Sequence, residues 1–319
     1  MRSRAALVSS ALLLGVSLTV VGCGADGVRT ASDAPAGKDV LVTEDTGRPD
    51  NGAGARRAAE VVKAWTGSAA ERAWRKGYRP LDQAEWLPPD AFRSEGDKVA
   101  FISGHLDLVT QLPASGSGGP EATVTWQDGS TVRRPLLTSR HIFDGLARNK
   151  SGCDGTDCNR RLRVTGVKAA TRTLATSRGP ASIPVWEFTI EGYAQPFAYP
   201  AVAPDQPPRG PQSDRPAPDI DGVSSAGDWN GLSSDGLVLN AGVSHGSCVN
   251  TLPGQVYETK DAVVLIGRVE QLPKGTICDA DLRVTPVRFR LSRPLGTRTV
   301  LDAVTGDPMA LMTPGGAAR

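Results

Sequence analysis

The 319-residue chain carries 36 Lys and Arg against 34 Asp and Glu, and two of those cations, Arg2 and Arg4, fall in its first few residues. Without them the balance is 34 against 34, which excludes the basic excess that a nucleic-acid or polyanion binder needs. The length is sufficient for two domains with buried cores.

Arg2 and Arg4 are followed by Ala5 to Val21, an uncharged stretch that is apolar apart from Ser9, Ser10, Ser17 and Thr19. It has the size of a secretory h-region and falls short of a comfortable membrane span of about 20 apolar residues. It ends in Val20-Val21-Gly22-Cys23. This aliphatic-aliphatic-small-Cys sequence resembles the lipobox of bacterial lipoproteins. The resemblance implies a signal peptide over residues 1–22, cleavage before Cys23, a diacylglyceryl group on the Cys23 thiol, and acylation (palmitate or a similar chain) of the new amine. Two or three acyl chains anchor stably where one does not. Residues 23–55 are rich in Gly, Ala, Asp and Thr without hydrophobic periodicity and read as a tether. About 30 flexible residues span an r.m.s. distance of about 30 Å.

Residues 56–203 read as a first, α+β domain. Ala58, Ala59, Val61, Val62 and Trp65 form an apolar stripe at helical spacing. Ser68-Ala-Ala-Glu71 reads as a capping box that opens a second helix, carrying Trp74 and ending at Gly77. Alternation across residues 98–112, with Leu106, Leu108, Thr110 and Leu112 on one side, predicts a half-buried strand. Residues 122–132 read as a hairpin with Asp128-Gly129 in a two-residue primed turn. A short helix is predicted over 139–147 around Ile142, Phe143 and Leu146. Strands are predicted over 161–167, 171–176 and 184–192. In the last, Trp186, Phe188 and Ile190 oppose Glu187, Thr189 and Glu191.

Residues 204–218 are Pro-rich, charged and aperiodic, and read as a linker. A second, mostly β domain follows over 219–312, with strands predicted at 237–243, 263–269, 287–291 and 299–303; residues 313–319 read as a disordered tail. The fold class expected is β-rich α+β, two sheet-dominated domains with short helices at the start of the first.

Besides Cys23 the chain has Cys153, Cys158, Cys248 and Cys278, an even set that reads as two disulfides in an exported protein. Three pairings are open; Cys153–Cys158 with Cys248–Cys278, one in each region, is favoured. Zinc is the rival for the Cys153–Cys158 spacing, but no second Cys or His pair follows at a ligand spacing. Gly242-Val-Ser244-His-Gly246 matches the hydrolase nucleophile-elbow pattern, which demands a strand, a tight turn and a helix, with the triad His well after the Ser. The sequence after Gly246 is a poor helix, and the chain has only His105, His141 and His245. No catalytic residue, metal ligand or cofactor is assigned. Trp65, Trp74, Trp126 and Trp186 lie on apolar faces and read as core. Trp86 and Trp229 lie in loop-like contexts and are the aromatic candidates for a binding surface. Arg283, Arg288, Arg290, Arg293 and Arg298 could form a basic ribbon, although a solvated strand face accounts for them as well.

Three segments, Thr176 to Phe188, Pro294 to Gly306, and Trp126-Gln-Asp-Gly with Pro135-Leu-Leu, together with the lipobox, resemble a family of uncharacterised actinobacterial, Streptomyces-type lipoproteins. The resemblance implies an extracytoplasmic, lipid-anchored location and carries no activity over. The expected function is a non-enzymatic envelope lipoprotein on the outer face of the cytoplasmic membrane. Its partners would be the membrane, through Cys23, and an envelope ligand or protein, with no nucleic acid. The alternatives are an envelope hydrolase using Ser244 and a solute-capturing lipoprotein.

Overall fold

A computed structural model describes residues 41–42, 52–81, 85–87, 92–113, 121–148, 159–273 and 275–310. Cys23, Cys153 and Cys158 lie outside the described residues, as do the signal segment and the tail. In chain order the elements begin with β1 (Leu41–Val42), α1 (Ala53–Trp65), α2 (Ala69–Lys76), α3 (Glu95–Ile102) and β2 (Leu106–Leu108). There follow β3 (Glu121–Trp126), β4 (Thr131–Pro135), α4 (Ser139–Arg148), β5 (Leu162–Leu174), β6 (Ala181–Ile190) and β7 (Phe197–Pro200). The last group is β8 (Val223–Ser224), β9 (Ala226–Leu232), β10 (Val238–Gly246), β11 (Thr251–Glu258), β12 (Ala262–Val269), β13 (Leu282–Arg290) and β14 (Thr299–Asp302). The fold class is β-rich α+β, with helices α1 and α2 at the start.

β2 to β7 form one sheet in the order β2-β5-β6-β3-β4, with β7 on the β3 side of β6. β6 explains why both faces are covered. Trp186, Phe188 and Ile190 pack with Phe143, Leu162, Val164 and Phe197 on one face. Ala181, Ile183 and Val185 pack with Tyr78, Val124, Trp126 and Leu174 on the other. Glu187 shares the second face and is only 6% exposed; Lys168 and Arg172, across on β5, pair with it.

The remaining strands form two sheets packed face to face, in the orders β1-β13-β10-β9 and β11-β12-β14, with β8 on β12. Their shared core contains Leu239, Ala241, Val243, Val256, Val263, Leu265, Val287, Phe289 and Val300. Because side chains alternate along a strand, β12 sends Val263 and Leu265 into that core and Ala262, Val264 and Ile266 to the opposite face. Trp65, Ala58 and Val61 of α1, with Ala70 and Trp74 of α2, cover that opposite face. Arg57 locks α1 in place by donating to the carbonyls of Ala303 and Val304, at 3.0 Å each. Chain order assigns these helices to the first region, yet their apolar stripe is spent on the sheet of the second.

The 204–218 segment has no regular structure, as its prolines require, but it is held at several points. The Asp205 carboxylate accepts from the Tyr78 amide at 2.6 Å and from Arg134 at 2.5 Å. Farther along, the Gly210 amide and the Ser213 hydroxyl both donate to Asp307.

Three local expectations are corrected. Residues 95–102 are helical, because the Ser94 side chain caps the Asp97 amide and Ala100 buries against the first sheet; only 106–108 remain strand. The predicted strands at 161–167 and 171–176 are one strand, β5. The Asp128-Gly129 turn is a three-residue loop closed by Trp126 and Ser130, with Gly129 at φ +80° in the left-handed position that such loops need. The predicted capping box forms in half: Ser68 accepts from the Glu71 amide, but the Glu71 carboxylate accepts from the Gly67 amide at 2.6 Å, one residue before the cap, because the Ser68 amide is taken by the Trp65 carbonyl.

A fragment of residues 219–312 lacks α1 and α2 and leaves the Val264 and Ile266 face of β12 uncovered. It is expected to bind a hydrophobic dye and to melt without a cooperative transition, whereas 39–319 melts cooperatively. Trp65→Ala in the full chain is expected to cost about 3–5 kcal/mol, read as a shift in the urea midpoint.

Candidate interaction surface

β10 and β13 pair antiparallel over their full lengths, from Val238↔Arg290 to Gly246↔Leu282. Up to Val243↔Thr285 their inward side chains sit over the sandwich core. Beyond that the ribbon leaves the core, and exposure rises along β13 towards Leu282. The ribbon continues into two loops, 247–250 and 270–281, and Cys248–Cys278 joins them with Cα atoms 5.8 Å apart. This is the second disulfide of the favoured pairing.

Six large apolar side chains stand exposed among the described residues, and four of them belong to this end: Leu272, Ile277 (95%), Leu282 (75%) and Val284 (60%). Leu282 and Val284, two apart on a strand, share one face. Apolar groups that are gathered, not scattered, mark an interaction site. The end of the ribbon is shaped by covalent and polar bonds. The His245 Nδ1 bonds the Gly246 carbonyl at 2.9 Å, and Nε2 bonds the Thr285 hydroxyl at 2.8 Å. A carbonyl only accepts, so Nδ1 carries a proton. Arg283 pairs with Asp281, and Asn250 donates to Glu270.

Ser244 lies inside β10, paired with Val284, and β10 runs on to a turn and then to β11. No helix follows it, so the nucleophile elbow is not formed. The candidate tryptophans separate. Trp229 is 1% exposed in the sandwich core on β9, with its indole N–H donating to the Met309 carbonyl; it offers no surface. Trp86 is half-buried, bridged to Ala198 beside β7, and packs against the first sheet's core. The sequence reads both as loop residues because their neighbours are Gly, Asn and Pro. The arginines do not form one ribbon either: Arg298 is buried on Glu258, Arg293 donates to the carbonyls of Thr259 and Lys260, and Arg283 is paired with Asp281. Among the described residues no group of three or more His, Cys, Asp or Glu side chains is placed to hold a metal ion.

The titratable groups most changed by the fold serve structure. Burial alone would raise the Asp97 carboxyl, but hydrogen bonds from Tyr193, Arg160 and Arg93 outweigh it and hold it below the usual carboxylate range. This hub ties α3 to the Gly192 turn and to the start of β5. Glu258 is held down similarly by Arg298 and the Ser292 amide against the effect of burial. Asp302 goes the other way: burial raises it, against donors from Thr305, Ala226 and Ser225. Burial also raises Glu85 and the neighbouring Tyr199 phenol. The Tyr199 oxygen is sealed from solvent and has no hydrogen-bond partner, so no substrate reaches it.

No family model, curated protein or solved structure matches the chain.

For Asp97 the folded pKa lies below the unfolded one, so its contribution is present above the ordinary carboxylate range near 4 and is lost as pH falls through the folded value. The urea midpoint is expected to drop between pH 5 and pH 3, about the ordinary Asp value, and Asp97→Asn is expected to flatten that drop. Its partners Arg93 and Arg160 are about half exposed, so the cost of Asp97→Asn at neutral pH is about 2 kcal/mol, below that of breaking a fully buried pair. Cys248→Ser is expected to leave the sandwich folded and to increase amide exchange in 244–250 and 276–284 selectively, measured by hydrogen exchange.

Proposed function

We propose that the chain is an exported envelope lipoprotein, carried on the outer face of the cytoplasmic membrane by acyl chains on Cys23, which binds an envelope protein through the disulfide-closed end of the β10–β13 ribbon. The observation that carries this reading is the gathering of Ile277, Leu282, Val284 and Leu272 at one end, rigidified by Cys248–Cys278. A disulfide of this kind persists in an oxidising compartment, which fits export. Aliphatic side chains left in water at a preorganised site recover about 25 cal/mol per Å² when a partner covers them, and the crosslink reduces the entropy lost on docking.

The charge around the tip selects the partner. From residue 270 to 284 the chain carries Glu270, Asp279 and Asp281 against Lys274 and Arg283, a net of −1. A net of −1 gives neither an anionic lipid surface nor an anionic wall polymer an electrostatic attraction to these loops. A protein with an apolar recess and a basic rim would be complementary.

A photo-crosslinking amino acid at position 277, in cells making the full chain, is expected to give one discrete protein adduct. Leu282→Asp with Val284→Asp is expected to abolish that adduct without lowering the melting temperature, since both side chains are already exposed. Adducts with lipid or glycan alone would overturn the reading of the surface. Separately, Cys23→Ser is expected to release the protein from the membrane fraction and to remove its acyl mass.

A further inference from the structure

β13 lies at the edge of its sheet, whose order is β1-β13-β10-β9, and β1 covers only Val287 and Arg288 of that edge. The register decides which backbone groups face outward. In an antiparallel pair, opposed residues alternate between exchanging both hydrogen bonds and exchanging none. Leu291 donates to the Leu237 carbonyl at 2.7 Å, one step beyond Val238↔Arg290, and the pairing from there to Gly246↔Leu282 is unbroken. Counting back in twos, Phe289, Val287, Thr285 and Arg283 bond β10. Arg290, Arg288, Pro286, Val284 and Leu282 turn their backbone groups away from it, towards the edge.

Independent bonds agree with that count. Ser244, opposite Val284, sends its amide the other way, to the Ser225 carbonyl at 3.1 Å. Val238, opposite Arg290, likewise accepts on that far side, from the Ser233 amide at 2.9 Å. Pro286, which has no N–H to offer, stands at an outward position, where the β10 ladder does not need one.

The edge next to the tip is therefore bare. Leu282 and Val284 direct their N–H and C=O groups outward with no strand beside them among the described residues, and the same two residues carry side chains that are 75% and 60% exposed. A partner that wraps these side chains at a sheet edge also removes water from the adjacent edge groups. A donor or acceptor left dry without a partner is expensive. A smooth apolar recess leaves that cost standing, whereas an extended peptide supplies a matching row of carbonyls and amides. β1 shows the edge accepting such a strand at Val287 and Arg288, and it bounds the vacant stretch to 282–286, a span of about 17 Å.

We infer that the envelope protein bound at this tip contributes an extended segment of about five residues, paired to the β13 edge along 282–286, with aliphatic side chains at alternate positions lying beside Leu282 and Val284. The inference rests on the tip being a protein-binding surface and adds the form in which the partner arrives. A second copy of the chain fits less well. Antiparallel pairing about Val284 would set Asp281 and Ala280 of the copy across from Val287 and Arg288, where β1 already lies.

Val284→Pro removes one outward N–H, keeps an apolar side chain and costs the β10 ladder no bond. In cells making the full chain with the photo-crosslinking amino acid at position 277, Val284→Pro is expected to abolish the protein adduct while the melting temperature changes little. Val284→Leu, which keeps the amide, is expected to retain the adduct. An adduct that survives Val284→Pro but is lost with the paired Leu282→Asp and Val284→Asp substitutions overturns the strand and leaves the protein-binding surface standing. No adduct from the chain without these substitutions overturns both. Should Val284→Pro fail to fold, hydrogen exchange on the purified adduct decides. The Leu282 and Val284 amides are expected to exchange more slowly there than in the free chain, by on the order of tenfold or more, and unchanged rates overturn the pairing.

Discussion

Strand β12 has no face left for water. Five of its residues from Ala262 to Ile266 are apolar and essentially inaccessible, so alternating side chains demand an apolar layer on each side. The β13-β10-β9 sheet supplies one layer. The other must come from elsewhere in the chain, and α1 and α2 are the segments whose stripe has the right width. That requirement brings residues 53–76 onto a sheet built from residues 223–302 and makes the chain cross back through Tyr78–Leu81 to begin the first sheet.

The same crossing explains where the buried charges lie. Arg79 has to pass between two cores, and its guanidinium is kept there by carbonyls, by the Trp74 ring and by the neighbourhood of Asp205. Asp97, Glu258 and Asp302 perform comparable fastening at chain turns. These groups are committed to holding the layers together. What the fold leaves unused is the far end of the β10–β13 ribbon, which extends past the edge of the core and is shaped by its disulfide.

Strong periodicity was legible in the sequence. The stripe from Ala58 to Trp65, the capping box at Ser68–Glu71 and the alternation of Trp186, Phe188 and Ile190 each state a local preference that the packing also needs. β9 was not legible, because Gly227-Asp-Trp-Asn-Gly231 has the composition of a turn; it is a strand because Trp229 fills the sandwich core. β11 was hidden by Pro253-Gly254, where the glycine is required because the Phe289 ring passes where a side chain would stand. Helix α3 is not legible because its eight residues give too short a window to separate the helical period from the strand period. The ribbon tip was half legible. The cysteines at 248 and 278 indicate a crosslink, but Leu282 and Val284 are apolar in type while standing in step with Arg288 and Arg290 on the outer face of β13, a placement that only the strand register reveals.

The proposal that this tip is covered by a partner is tested most directly by hydroxyl-radical footprinting of the same protein in two states. The account predicts that Ile277, Leu282 and Val284 oxidise readily in the purified chain and are protected in intact envelopes, while exposed Ile102 and Val109 oxidise equally in both. Equal oxidation of all five residues in the two states would contradict it.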